Sequence, residues 1–321
     1  MRTLQTPQAS AGSPAGRIGA VAAAVIGLLA GPAAIPAAAY DDGPLDYVAF
    51  GDSYTAGIGA GVPRLSLLYP IDPADPKPCY QASPGYVDVL DALDDIDLAV
   101  NAACAGATAA ATTAVAPTVP EQITVASDAG DLDSETDLVT ITAGANDVNF
   151  INALLACLTR SEAECRTAVD AAEALAQSVL PAVLAQDYGA IQTKAPNATI
   201  AALGYPHLFA PEFAGGALVE NIEIFNAGTD TLNKIIRDAA KSSGAVYVEV
   251  TDDFAGHGIG AEDPWINFNP ADPLFGSNFH PTAEAMPRDM PQQSWRKWRS
   301  ASWRTDGSGQ TLPLKSQEAS A

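Results

Sequence analysis

The stretch Tyr47-Val-Ala-Phe-Gly-Asp-Ser-Tyr-Thr-Ala-Gly57 decides how this chain is read. Residues 47–50 form an apolar run of strand-like composition that stops at Gly51. Ser53 stands just past its end, and small residues continue through Gly57, Gly59 and Gly61. In an open α/β sheet, ligands bind in the crevice beyond the carboxyl ends of the strands. Ser53 is therefore expected to face that crevice, with its own N–H at the start of the next segment. Taken alone, Gly51-Asp52-Ser53 reads more simply as a polar turn leaving a strand. The rest of the chain changes that balance.

Four further apolar runs follow, at 98–102, 138–142, 199–203 and 245–250. Between them, residues 85–93, 166–185 and 222–240 carry apolar or alanine-rich patterns at helical spacing. Five short strands alternating with helices predict an α/β fold, a parallel sheet covered on both faces in three αβα layers. Residues 61–83, rich in proline, are expected to be an irregular loop. A stretch rich in alanine and threonine, broken by Pro117 and Pro120, crosses to Asp137 before the third strand.

With 48% hydrophobic and 17% charged residues in 321, the chain has ample material for a buried core. The formal net charge of -22 excludes nucleic acid as a partner, because phosphates call for lysine and arginine. It also argues against docking by charge to anionic membranes. Residues 1–39 read as an export signal: Arg2 and Arg17, an uncharged apolar run at 18–30, then Ala37-Ala38-Ala39 as a cleavage pattern. The run is short for a span and is interrupted by Gly31-Pro32, so we expect no stable membrane span after cleavage. The mature chain is expected to start near Tyr40 and to be secreted. The four cysteines, Cys79, Cys104, Cys157 and Cys165, suit two disulfides in an oxidising destination. The close pair Cys157 and Cys165 fits one local loop, leaving Cys79 with Cys104.

Three polar clusters sit at predicted strand ends: Ser53, then Gly106, then Asn146. Strand ends of one sheet converge on one crevice, and these groups suit acyl transfer. A serine hydroxyl is a poor nucleophile until a base takes its proton. The resulting oxyanion needs donors already in place. The backbone N–H groups of Ser53 and Gly106 and the side-chain amide of Asn146 supply three. The chain holds three histidines. His280, in Asn278-Phe279-His280-Pro281, follows the last strand and is the expected base. His207 follows the fourth strand and is a possible substrate contact. His257 lies in a glycine-rich loop, and both are read as mainly structural. Scattered histidines without an H-E-x-x-H pattern leave no zinc site, and the chemistry calls for no cofactor.

At this point the residues resemble a family. Gly51-Asp52-Ser53, Gly106 after Cys104-Ala105, Gly144-x-Asn146-Asp147 and His280-Pro281 follow, in order, the four blocks of the SGNH (GDSL) hydrolases. The resemblance is to the secreted bacterial lipase and esterase branch. It runs from about Asp46 to Pro281 and includes Gly204-Tyr205-Pro206 and Phe254-x-Gly256-His257. It implies a flavodoxin-like five-stranded sheet of order 2-1-3-4-5. It also implies Ser53 as nucleophile, His280 as base, and Ser53, Gly106 and Asn146 as oxyanion donors. No G-x-S-x-G elbow occurs, so the chain does not resemble the α/β-hydrolases.

Departures from the family pattern matter too. An aspartate often stands three residues before the histidine; here that position is Ser277, whose carbonyl is expected to fix the imidazole tautomer, with Asp272 a less favoured substitute. A third disulfide common in the branch is missing. Beyond Ala285 the composition turns to tryptophan, arginine, serine and glutamine, and 287–321 reads as an atypical, partly disordered tail. A shifted reading frame near Ala285 would account for it and would leave His280 without its anchor. The expected architecture is an export signal at 1–39, a hydrolase domain at 40–286 and this tail. The leading expectation is a monomeric serine esterase acting on a small-molecule or lipid ester. A catalytically silent binding protein on the same scaffold and a carbohydrate deacetylase are the alternatives.

Overall fold

The computed structural model describes residues 43–69, 76–110, 115–213, 219–272 and 276–285. The export signal, the mature start and the tail read at 287–321 lie outside the described residues. Five strands form one sheet: β1 (Leu45–Gly51), β4 (Ile96–Asn101), β5 (Leu138–Thr142), β6 (Thr199–Leu203) and β7 (Val246–Val248). All neighbours are parallel, in the order β4-β1-β5-β6-β7, which is the expected 2-1-3-4-5. The order reverses at β1, so β1 and β5 end side by side at the point where such sheets open a crevice.

Side chains of β1 divide by the period of two. Val48 and Phe50 join one buried cluster with Val139, Ile141 and Ile200; Tyr47 and Ala49 join another with Leu138. Both faces are covered. The first cluster is closed by α2 (Val119–Ala129), α4 (Glu162–Lys194) and α5 (Val219–Ser242), through Ile123, Leu180, Leu184 and Ile236. The second is closed by α1 (Tyr86–Asp91) and α3 (Phe150–Thr159), through Leu90 and Leu154, with Ile222 and Phe225 of α5. By composition α4 is long and apolar enough to cross a membrane, yet its Val169, Leu180, Leu184 and Ile191 are core residues of this fold.

One sequence expectation is corrected. Residues 61–83 are not wholly irregular: β2 (Val62–Leu65) and β3 (Tyr80–Ser83) pair as an antiparallel two-stranded ribbon. The crossing before the third strand contains a helix, α2. Pro120 lies in its first turn, where a missing N–H removes nothing, and Thr118 caps it. The Thr118 side chain accepts the Glu121 N–H while Glu121 reaches back to the Thr118 N–H; Gly130 closes the helix at φ 84. That Thr-x-x-Glu pattern is a helix-start signal which the two prolines overshadowed.

The disulfides are the two expected ones. Cys79–Cys104 joins the ribbon to the turn after β4, and Cys157–Cys165 joins the end of α3 to the start of α4.

Candidate active site

The turn that carries Ser53 begins at Gly51, where φ is +130. A Cβ there would lie 2.2 Å from the Thr142 carbonyl oxygen, so only glycine lets β1 turn this close to β5. Gln122 of α2 grips the same backbone: its Oε1 accepts the Gly51 N–H at 2.8 Å, and its Nε2 donates to the Gly51 carbonyl at 2.9 Å. Gln122 is fully buried, and nothing in the reading of the sequence singled it out. A tight chain reversal follows, closed by Ala56 N–H to the Asp52 carbonyl and Ile58 N–H to the Ser53 carbonyl.

The turns after β4 and β5 meet this one. Cys104 N–H donates to the Gly51 carbonyl at 3.1 Å, and Asp52 N–H donates to the Thr142 carbonyl at 2.9 Å. Gly106 has φ +83, a conformation that makes glycine the natural residue; a Cβ there would meet only ordinary contacts with Val115 and Ala116. Asn146, in a 3₁₀ turn, donates one amide hydrogen to the Ala107 carbonyl at 2.8 Å. Its second amide hydrogen remains for another acceptor. Asp147 holds the far side of the Gly106 turn, its carboxylate accepting the N–H groups of Ala109 and Ala110. Among the described residues, the N–H groups of Ser53 and Gly106 are donated to no protein acceptor.

His280 reaches Ser53 from the far end of the chain. Its Nε2 lies 2.8 Å from Ser53 Oγ, and its Nδ1 lies 2.8 Å from the Asn278 carbonyl. A carbonyl only accepts, so the neutral ring carries its proton on Nδ1 and turns a lone pair at Nε2 toward the Ser53 hydroxyl. Burial pushes the His280 ring down to about 4, and the Asn278 and Ser277 carbonyls work against that. Tyr54 packs its ring 5.5 Å from that of His280, and its hydroxyl donates to the Phe279 carbonyl at 2.8 Å. Asn267 donates to the carbonyls of Gly59, His280 and Pro281, stitching the serine turn to the histidine loop.

The expected orienting group is corrected from Ser277 to Asn278. Phe279 takes a left-handed conformation, φ +64, and the resulting reversal brings the carbonyl two residues back, not three, onto Nδ1. The Ser277 carbonyl instead accepts the His280 backbone N–H. Asp272 contributes its backbone carbonyl, which accepts from the Asn278 amide. His207 and His257 do not join the pair. His207 lies 2.7 Å from Asp230, and His257 stacks on Trp265 with Nδ1 bonded to the Asp263 carbonyl. Among the described residues no three His, Cys, Asp or Glu side chains gather as a metal site.

The fold and this geometry together define a class, a three-layer αβα protein with a serine–histidine pair at the carboxyl edge of a parallel sheet. Residues 49–286 match the model of the GDSL-like lipase/acylhydrolase family, and the chain belongs to that family. It is a carboxylic ester hydrolase. Lipase 1 of Streptomyces coelicolor is 32% identical over 269 residues, which cover 82% of this chain and 89% of that protein. The crystal structure of an extracellular lipase from Streptomyces rimosus aligns with a TM-score of 0.63 at 28% identity, covering 79% of this chain and 99% of the other. That of phospholipase A1 from Streptomyces albidoflavus aligns at 0.60 and 28%, covering 78% and 98%.

Proposed function

We propose that this hydrolase is a secreted serine esterase that cleaves acyl-lipid esters through an acyl-enzyme on Ser53. The observation that carries the reading is the 2.8 Å contact from His280 Nε2 to Ser53 Oγ, with the ring's other nitrogen bonded to the Asn278 carbonyl. As Ser53 Oγ bonds to the ester carbonyl carbon, Nε2 takes its proton and the carbonyl π pair moves onto oxygen. The Ser53 and Gly106 N–H groups and the spare Asn146 amide hydrogen receive that oxyanion. The oxyanion collapses, the bond to the alkoxy oxygen breaks, and the imidazolium returns its proton to the departing alcohol. Water then repeats the sequence on the acyl-enzyme: Nε2 takes a proton from it, the acid leaves, and Ser53 regains its hydrogen.

Secretion is supported by the two disulfides and by the likeness to an extracellular Streptomyces lipase. This reading takes the hydrolase domain as 40–286, behind an export signal removed near Ala39. The acyl-lipid substrate class is supported by the lipase and phospholipase relatives. Purified mature protein is tested on p-nitrophenyl esters from acetate to palmitate beside Ser53→Ala. Turnover is expected in the wild type and absent in the variant, with a fluorophosphonate labelling Ser53 alone. Equal turnover in both would end the reading.

A further inference from the structure

The middle residue of Gly51-Asp52-Ser53 has no part in the proton transfer just described. The Asp52 carboxyl is 1% exposed, and burial pushes it up to about 7. Its Oδ1 accepts the Tyr54 N–H at 2.9 Å, and its Oδ2 accepts the Tyr205 hydroxyl at 2.6 Å. The same Tyr205 oxygen accepts the Ala145 N–H at 3.2 Å. An unbroken chain thus runs from the residue before Ser53, through one phenol, to the residue before Asn146.

Tyr205 is well placed to be the fixed point of that chain. It follows β6 and is 2% exposed. Asn233 of α5 holds its backbone on both sides, accepting its N–H and donating to its carbonyl, each at 2.8 Å. Tyr54 meets its ring edge-on at 5.3 Å. The two partners of the hydroxyl demand different things of it. Asp52 Oδ2 takes its hydrogen, which leaves an oxygen lone pair for the amide of Ala145. Phenylalanine satisfies neither. A carboxamide in place of Asp52 turns either an N–H₂ toward the Tyr205 hydroxyl or one toward the Tyr54 N–H.

We propose that Tyr205, oriented by Asp52, is the positioning residue of the oxyanion hole, holding the Ala145–Asn146 turn at its working distance from Ser53. The proposal rests on the roles given above to Ser53 and Asn146. Tyr205 acts through Asn146 and touches no reacting atom. A displacement on the order of 1 Å at such a donor lowers turnover by roughly 10²-fold.

The test is a double-mutant cycle on a soluble p-nitrophenyl ester, with kcat and KM read separately and folding checked by near-UV circular dichroism. Asn146→Ala is expected to lower kcat by roughly 10²- to 10³-fold. Tyr205→Phe is expected to lower kcat roughly 10- to 100-fold with KM held within about twofold, and to weaken a trifluoromethyl ketone inhibitor in proportion. Added to Asn146→Ala, Tyr205→Phe is expected to lower kcat by less than about threefold, since the group it positions is gone. Asp52→Asn, which keeps the shape of the site, should repeat this pattern should Tyr205→Phe not fold. Equal factors in both backgrounds, or an unchanged kcat with a lower melting temperature, would overturn the proposal and leave Tyr205 a core residue. An Asn146→Ala protein with full kcat would instead sink the oxyanion reading on which it stands.

Discussion

At the scale of the residue, the site works by placing ordinary groups where burial changes their habits. His280 packs under Tyr54, and burial holds its ring down to about 4 from an ordinary 6.5. In the proposed mechanism the ring must be neutral to accept the Ser53 proton, so activity is expected to rise with pH through the folded value. We expect the acid limb of kcat/KM near pH 4, well below that of an exposed histidine, as read from a pH profile on a soluble ester. A limb near 6.5 would mean the ring is solvated. That Ser53, Gly106, Asn146 and His280 would come together was legible because their residue types stand at successive strand ends and in the loop after the last strand. Asn278 was not. The choice between its carbonyl and that of Ser277 turns on the left-handed φ of Phe279, a conformation phenylalanine rarely takes and composition does not announce.

At the scale of the element, the two disulfides have different consequences. Cys79–Cys104 closes 25 residues and ends two residues from Gly106, and Ala105 N–H bonds the Tyr80 carbonyl of the ribbon. Cys157–Cys165 closes 8 residues between α3 and α4. From loop entropy, replacing the first pair by alanine should cost about 3.5 kcal/mol and the second about 2.5 kcal/mol, as read from urea unfolding. The first is also expected to lower kcat, because the Gly106 turn loses its tether; the second should leave kcat within about twofold. The strands and the long helices were readable from their periods. The helix α2 was hidden by its prolines, and with it Gln122, whose grip on Gly51 joins residues 71 apart in sequence.

At the scale of the whole molecule, stability should vary with pH through buried groups outside the proton transfer. Asp52 and Asp187 are pushed up to about 7 and about 8 by burial, with Asp147 adding like charge to Asp187. Folded protein therefore binds more protons than unfolded protein between an ordinary 3.8 and those values. Each carboxyl contributes stability that is present below 3.8 and lost as pH rises through that window. His280 acts in the opposite direction: its contribution is present above 6.5 and lost as pH falls toward 4. The net decline is therefore steepest above pH 6.5, at up to about 1.4 kcal/mol per pH unit for each titrating carboxyl. The melting temperature is expected to fall from pH 6.5 to pH 8, and Asp187→Asn should flatten that fall. A flat profile in the wild type would show that these carboxyls are not held protonated.

The sequence by itself determined the class of fold, the order of the chemical groups along it, the cysteine pairing and the family. These follow from short-range facts: strand and helix periods, glycine where the chain must turn, and side chains able to carry one reaction. Only the tertiary structure decided which carbonyl orients His280, which glutamine braces Gly51, and that Asp52 and Tyr205 link the serine turn to the asparagine turn. The Gln122–Gly51 and Asp52–Tyr205 contacts join residues 71 and 153 positions apart across separate elements, while the Asn278 contact turns on the left-handed φ of Phe279 within one loop. Their geometry is set by how the sheet packs against its helices, which no local pattern encodes.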